Sequence, residues 1–345
     1  MLKNSFFVVI ALLVFASVRA DEAYLAPLVK ESLLLDINSA NQTVIVGERG
    51  HILVSDNQVN DFEQVKVPTT ATLTAVFGIQ DQYWAVGHDA SILKSTQGAD
   101  KWSIKFSDKS LERPFLDVMF LDQNHGIAVG GYGMFYRTLD GGETWTPELH
   151  ASVLTADDLD YLDSIKDDLE FYNEELSYII PNFNRINQAG DLLLLAGEGG
   201  LLAVSQDLGK SWERYDIDYQ GSLFDVKAIQ ENLFIAVGLR GKMFVKRNDE
   251  DWTSIETCLT TSLNSIVFDE DSVFAVGNNG VVLNIDSEQL FSDELHPANN
   301  DNCSAHKALT LVETDISSSI SNAAILNDQL LAITANGIQS VSLAK

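Results

Sequence analysis

Two eight-residue stretches carry residue types that could do chemistry. Residues 138–145 read TLDGGETW and residues 205–212 read SQDLGKSW. Both fit the pattern Ser/Thr-x-Asp-x-Gly-x-Ser/Thr-Trp. Thr138, Asp140, Gly142 and Trp145 in the first copy correspond to Ser205, Asp207, Gly209 and Trp212 in the second. An aspartate among hydroxyls can act as a general acid or base in hydrolysis. It can also accept N–H bonds from its own turn, with glycine allowing the bend and the indole packing over it. Two copies, each just after an apolar strand, favour the second reading. Weaker versions, STQGADKW (95–102) and KRNDEDW (246–252), sit at the equivalent place. The motif is expected to be structural, a staple between two strands.

Other catalytic signatures are missing. The chain has no Gly-x-Ser-x-Gly, no His-Glu-x-x-His and no phosphate loop. Two carboxylates on neighbouring elements could still form a glycosidase pair, and fifty acidic residues leave that alternative open. The two cysteines, Cys258 and Cys303, are expected to form a disulfide in an exported protein. A metal site built from His296, Cys303 and His306 is the alternative, and it lacks a fourth ligand at recognisable spacing. No cofactor and no metal are implied.

The elements that position these residues repeat along the chain. VIVGERGHILVSD (44–56) recurs as WAVGHDASILKST, IAVGGYGMFYRTL, LLAGEGGLLAVSQ, IAVGLRGKMFVKR and FAVGNNGVVLNID, with a worn seventh copy at 331–343. The leading glycines Gly47, Gly87, Gly130, Gly197, Gly238 and Gly277 are spaced by 40, 43, 67, 41 and 39 residues. Each copy reads as strand, tight turn, strand, with one apolar strand upstream and another downstream, often carrying Trp. A period near 40 with four strands per unit is propeller spacing. The glycines are expected to supply positive φ at the turns. The fold class is all-β, a seven-bladed β-propeller of four-stranded blades. The last unit lacks an outer strand, and EAYLAPLV (22–29) is expected to complete it, closing the ring without an exposed edge.

Residues 1–20 differ in character. Lys3 precedes an apolar run from Phe6 to Val18 that ends in Val18-Arg19-Ala20, the pattern of a secretory signal cut after Ala20. The expected domain organisation is a signal peptide at 1–20 and one propeller at 21–345. The expected location is periplasmic or secreted. Net charge is −28, and loss of residues 1–20 removes Lys3 and Arg19 and no acid, giving −30. Such a chain repels nucleic acid and anionic lipid. Stable membrane insertion is not expected, because no later segment reaches the length of a spanning helix.

The Asp motif resembles the Asp-box, or BNR repeat, of sialidases and related propellers. Sialidases also bind a carboxylate with three arginines, one usually within an Arg-Ile-Pro stretch; this chain has few arginines and no Arg-Ile-Pro. The whole repeat is similar to the photosystem II assembly and stability factor family, through VGERGHILVSD and VGLRGKMF above all. That resemblance implies an exported seven-bladed propeller without catalysis, which docks on a membrane-protein precursor through arginines on one face. Only Arg49 and Arg240 match the family's Gly-x-Arg-Gly position. Asp89, Tyr132, Gly199, Asn279 and Asn336 fill the equivalent slots.

The expected function is a monomeric scaffold for a protein partner, assisting assembly or stability of a membrane or envelope complex. A glycoside hydrolase or glycan-binding module is the alternative. The turns between second and third strands should gather on one face. The expected partner-binding residues are therefore Arg49, Arg240, His88, Asp89, Tyr132, Glu198, Asn278 and Asn279. An acidic insertion at about 150–180 belongs on the same face. There Leu159, Leu162, Ile165, Leu169, Tyr172 and Leu176 recur at steps of three and four, which predicts one helical stripe packed on the rim or, alternatively, a hook for the partner.

Overall fold

The second strand of each repeat is an unbroken apolar run because both of its faces are covered. Thr43–Gly47, Gly126–Gly130 and Val273–Gly277 are buried at every residue. A strand packed on one side only would alternate with polar residues. The computed structural model describes residues 22–56, 61–95, 98–295 and 303–343. The signal segment expected at 1–20 lies outside the described residues.

Seven antiparallel sheets follow one another along the chain, and each is a simple meander. Their first strands are Leu34–Ser39, Leu73–Ile79, Phe115–Phe120, Phe183–Ala189, Leu223–Gln230, Leu263–Phe268 and Ile320–Leu326. These strands neighbour one another in order around a central channel, and the first meets the last. The apolar core lies between sheets. Phe135 of the third sheet packs with Leu193 and Trp212 of the fourth, for example. The chain is thus a seven-bladed β-propeller.

At the seam the closure differs from the expected one. Among the described residues the seventh sheet has three paired strands, Ile320–Leu326, Gln329–Thr334 and Gly337–Ser342. Residues 22–28 form no strand, and Val29–Glu31 is a 3-10 turn. Val29 packs on Leu331, Ile333 and Ile338 of the last blade. The Ala23 N–H donates to Val67 O of the first blade at 2.9 Å. The N-terminal segment therefore bridges blades seven and one by packing, not by adding a ladder. Pro27 fits this outcome, since it offers no N–H to such a ladder.

Side chains also tie each inner strand to the next. The pairing of every inner strand shows a register shift between its first and third residues. Such bulges re-aim side chains. In blades one, three and five the third residue is aspartate. Asp36, Asp117 and Asp225 accept the N–H of Val76, Ile186 and Ile266 in the following blade, at 2.8, 2.8 and 2.9 Å. In blades two, four and six the second residue takes over. Thr74 Oγ1 donates to Phe115 O at 2.7 Å, Asn184 Nδ2 to Leu223 O at 2.8 Å and Asn264 Nδ2 to Ile320 O at 2.7 Å. Asn322 Nδ2 donates to Asp36 and closes the circle.

Two insertions leave the meander. The first is not one helix but two, α1 (Ala156–Ile165) and α2 (Leu169–Ile179). Asp168 caps α2 by accepting the Phe171 N–H at 3.1 Å, which ends the single stripe read from the sequence. Leu162 and Leu176 are buried against Val153, Leu154 and Ile180, whereas Leu169 is 71% exposed. The second insertion separates the third and fourth strands of blade six. Residues Ser287–Ser292 are helical and the outer strand is Leu309–Leu311. The returning loop crosses to blade five, where His306 N–H donates to Glu256 O at 2.9 Å. This brings the sulfurs of Cys258 and Cys303 to 2.06 Å, a disulfide that joins the two blades.

Candidate functional site

The turns between second and third strands are built alike. In all seven blades the first turn residue donates its N–H to the carbonyl just before the inner strand. The seven bonds, such as Glu48 N to Leu33 O and Ala335 N to Ser319 O, span 2.8–3.0 Å, and six of the seven turns go on alike. The next residue adopts the left-handed conformation: Arg49, Asp89, Tyr132, Gly199, Arg240 and Asn279 have φ between 52° and 61°. Asn336 is not among the left-handed residues.

The leading glycine has a different role from the one expected. Gly47 is extended at φ −170°, a conformation open to any residue. It is needed for closeness, because a Cβ there would lie 2.3 Å from Leu33 O. The second glycine, Gly50, is left-handed at φ +71°, and a Cβ would lie 2.2 Å from Thr69 O in the connector to the next blade. Each turn is thus pinned against two connectors, and its central side chain has one way to point, outward. The Arg49 side chain is 78% exposed and Tyr132 is 54% exposed. His88, Glu198, Arg240 and Asn279 are also exposed, and Asp89 and Asn278 are half-buried.

The eight residues expected at the site therefore share one face, but they sit blade by blade. Arg49 Nε lies 3.6 Å from Glu48, and Asp89 lies 3.4 Å from Lys109. The guanidinium of Arg113 stands 5.0 Å from the centre of the Tyr132 ring, within cation–π reach. Arg214 donates to Gly199 O and to Val153 O, at 2.6 and 2.9 Å, and so anchors the base of the insertion to the turn of blade four. Lys109, Arg113 and Arg214 were missed by the turn pattern because they lie on connectors and outer strands. The basic residues of SDKSLERP (107–114), between two blades, were the available signal.

The Asp motifs lie elsewhere, on the turns between third and fourth strands. Asp140 accepts from Thr144 N–H at 2.9 Å, from Thr144 Oγ1 at 2.6 Å and from Thr138 Oγ1 at 2.9 Å. Gly142 N–H donates to Thr138 Oγ1 at 2.8 Å, and Trp145 Nε1 to Gly142 O at 3.2 Å. Asp207 repeats the arrangement with Ser211 N–H and Oγ, at 2.9 and 2.6 Å, and Ser205 Oγ, at 2.8 Å. These donors hold Asp140 down at about 2 and Asp207 lower still. A carboxylate so committed cannot lend itself to a reacting group as acid. The preceding blade grips each turn: Trp84 Nε1 donates to Gly141 O at 3.0 Å, and Arg137 donates to Leu208 O and Gly209 O at 2.9 Å.

The channel holds a buried charge cluster that the sequence reading did not foresee. Arg185 Nη1 lies 3.3 Å from Asp117 and 3.9 Å from Asp36. Burial raises Asp117 to about 6 and also raises Asp36, with Arg185 opposing both shifts. The space around them is about 260 Å³. Its aspartates are already engaged with backbone N–H groups, as described above.

A family model described as photosynthesis system II assembly factor YCF48 matches residues 106–232, the third blade, the insertion and the fourth. Over these residues the chain is similar to the photosystem II assembly factors. The rice (Oryza sativa subsp. japonica) photosystem II stability/assembly factor HCF136, chloroplastic, is 27% identical over 158 residues, 44% of this chain and 33% of that protein. The photosystem II assembly lipoprotein Ycf48 of Prochlorococcus marinus is 24% identical over 184 residues, 45% of this chain and 52% of that protein. The matched regions thus span from a third to about half of these curated relatives. Among solved structures, YCF48 bound to D1 peptide has a TM-score of 0.64 at 14% identity and covers 94% of this chain and 97% of that one. YCF48 from Cyanidioschyzon merolae gives 0.64 at 16%, covering 93% and 97%. At such identities the structures speak to the fold alone. Among the described residues, no helix is long and apolar enough to cross a membrane.

Proposed function

We propose that this chain is a non-catalytic scaffold that holds a protein partner during assembly of a membrane or envelope complex, with the turn face as the docking surface. One observation carries the reading. Arg49, Tyr132 and Arg240 occupy left-handed positions, with φ of 53°, 52° and 57°. A residue with a Cβ costs about 1–2 kcal/mol there, where glycine would cost little. Large side chains held in that conformation, pointing outward from pinned turns, suit recognition rather than stability. The relatives support the reading, since similar proteins are named as assembly factors and one similar propeller is described as bound to a peptide. Export is part of the proposal and rests on the composition of residues 1–20. The protein would act as a monomer in the periplasm or outside the cell.

Affinity purification from the envelope tests this. The wild-type chain should recover a membrane-protein partner, and an Arg49→Ala/Arg240→Ala variant should lose most of it. Unchanged recovery would overturn the role of the arginines. Turnover of fluorogenic sialosides or other glycosides, lost on replacing a carboxylate of the turn face, would overturn the non-catalytic reading.

A further inference from the structure

The helical insertion carries a surface that the turn face does not explain. Sixteen large hydrophobic side chains are exposed among the described residues, and five of them lie in residues 156–179: Leu159, Tyr161, Leu169, Phe171 and Tyr178. On α2 the inward residues are Tyr172, Leu176 and Ile179, which reach the core. Phe171 and Tyr178 are seven residues apart, so they share one face, turned away from that core. Glu174 and Glu175 lie between them at steps of three and four. Tyr161 of α1 joins this face, its hydroxyl donating to Glu175 Oε2 at 2.7 Å.

The same segment is strongly acidic. Residues 156–179 hold nine carboxylates and one cation, Lys166. Lys166 is taken by Asp163 at 2.8 Å. Asp168 is used to cap α2. Asp157, Asp160, Asp167, Glu170 and Glu174 form no ion pair among the described residues. Rings and carboxylates together select the partner's chemistry. A wholly apolar partner would cover the rings but strip water from unpaired carboxylates, which is unfavourable. Lysine and arginine satisfy both features at once, because their aliphatic stems lie on apolar surface while their heads reach carboxylates or ring faces.

We infer that the outer face of α1 and α2 docks a lysine- and arginine-rich segment of a partner protein. The inference rests on the scaffold reading and adds the partner's sign at this edge. Gly133, in the turn that presents Tyr132, abuts Ile180 just after α2, so the acidic helices continue the turn face. The face is then two-signed, with Arg49 and Arg240 on blades one and five and the helices between blades three and four.

Short labelled peptides and the full chain test this by fluorescence anisotropy. A peptide alternating Lys or Arg with Leu should bind, and its affinity should fall about tenfold between low and high salt. The same peptide with Glu in place of each cation should not bind. Glu174→Gln/Glu175→Gln and, separately, Phe171→Ala/Tyr178→Ala should each weaken binding about fivefold or more. Phe171, Glu174 and Tyr178 are exposed and Glu175 is half-buried, its glutamine keeping an acceptor for the Tyr161 hydroxyl, so circular dichroism should show an unaltered fold. Arg49→Ala/Arg240→Ala should leave peptide binding intact. Equal binding of the acidic peptide, or indifference to both helix variants, would overturn the inference. So would sedimentation showing a dimer that the Phe171→Ala/Tyr178→Ala change dissolves. If the cationic peptide fails while envelope partner recovery still depends on Arg49 and Arg240, only this inference falls.

Discussion

Asp117→Asn probes the logic of the channel, where burial and charge pairing oppose each other. Asp117 titrates at about 6 in the folded protein, against 3.8 for an unperturbed carboxyl. Below pH 3.8 it is protonated in both states. As pH rises from 3.8 to 6 the unfolded chain ionises first, so the unfolded state gains stability relative to the folded one. The folded protein therefore loses on the order of 3 kcal/mol across that window, and the loss is complete above it. Asparagine keeps an acceptor for the Ile186 N–H but cannot ionise. Urea unfolding followed by tryptophan fluorescence, at several pH values, gives the stability of both proteins. The difference, wild type minus variant, should fall by roughly 3 kcal/mol between pH 4 and pH 7, since carboxylates remote from the channel cancel and only Asp36, which shares Arg185, is coupled to the change. A difference that stays flat or rises with pH would show that Arg185 outweighs burial, and would refute the account of the channel.

Other outcomes follow from the same geometry. Arg49→Gly should keep or slightly raise the denaturant midpoint, because the left-handed strain is relieved, while lowering partner recovery as Arg49→Ala does. Asp140→Ala should destabilise by about 1 kcal/mol by removing acceptors from an exposed turn, without affecting the partner. Asp140 is depressed to about 2, so its contribution is present above pH 3.8 and fades as pH falls through 2; acid unfolding of the variant should lack that step. Cys258→Ser/Cys303→Ser opens a link spanning 45 residues, and should lower stability by about 2–4 kcal/mol in thermal unfolding under oxidising conditions.

The sequence by itself determined the repeat, the blade count and the staple. Periodic glycines and buried apolar runs are local signals, and the donors to Asp140 and Asp207 lie within four residues of each aspartate. That Arg49, Tyr132 and Arg240 sit in tight turns was legible too, whereas their outward placement depends on the connectors that pin each turn. What the leading glycines do was not legible. Gly47 is set by the approach of Leu33, fourteen positions away, and no local rule reports that distance. The same holds for the stitching of inner strands, where Asp36 meets Val76 and Asn322, residues 40 and 286 positions distant. The break at Asp168 is a local cap, Asp168 accepting the Phe171 N–H, which the reading of one stripe passed over, and Leu169 just after it is exposed. Local pattern names the elements, but only closure of the ring sets which polar groups meet at its axis and which apolar ones are left facing water.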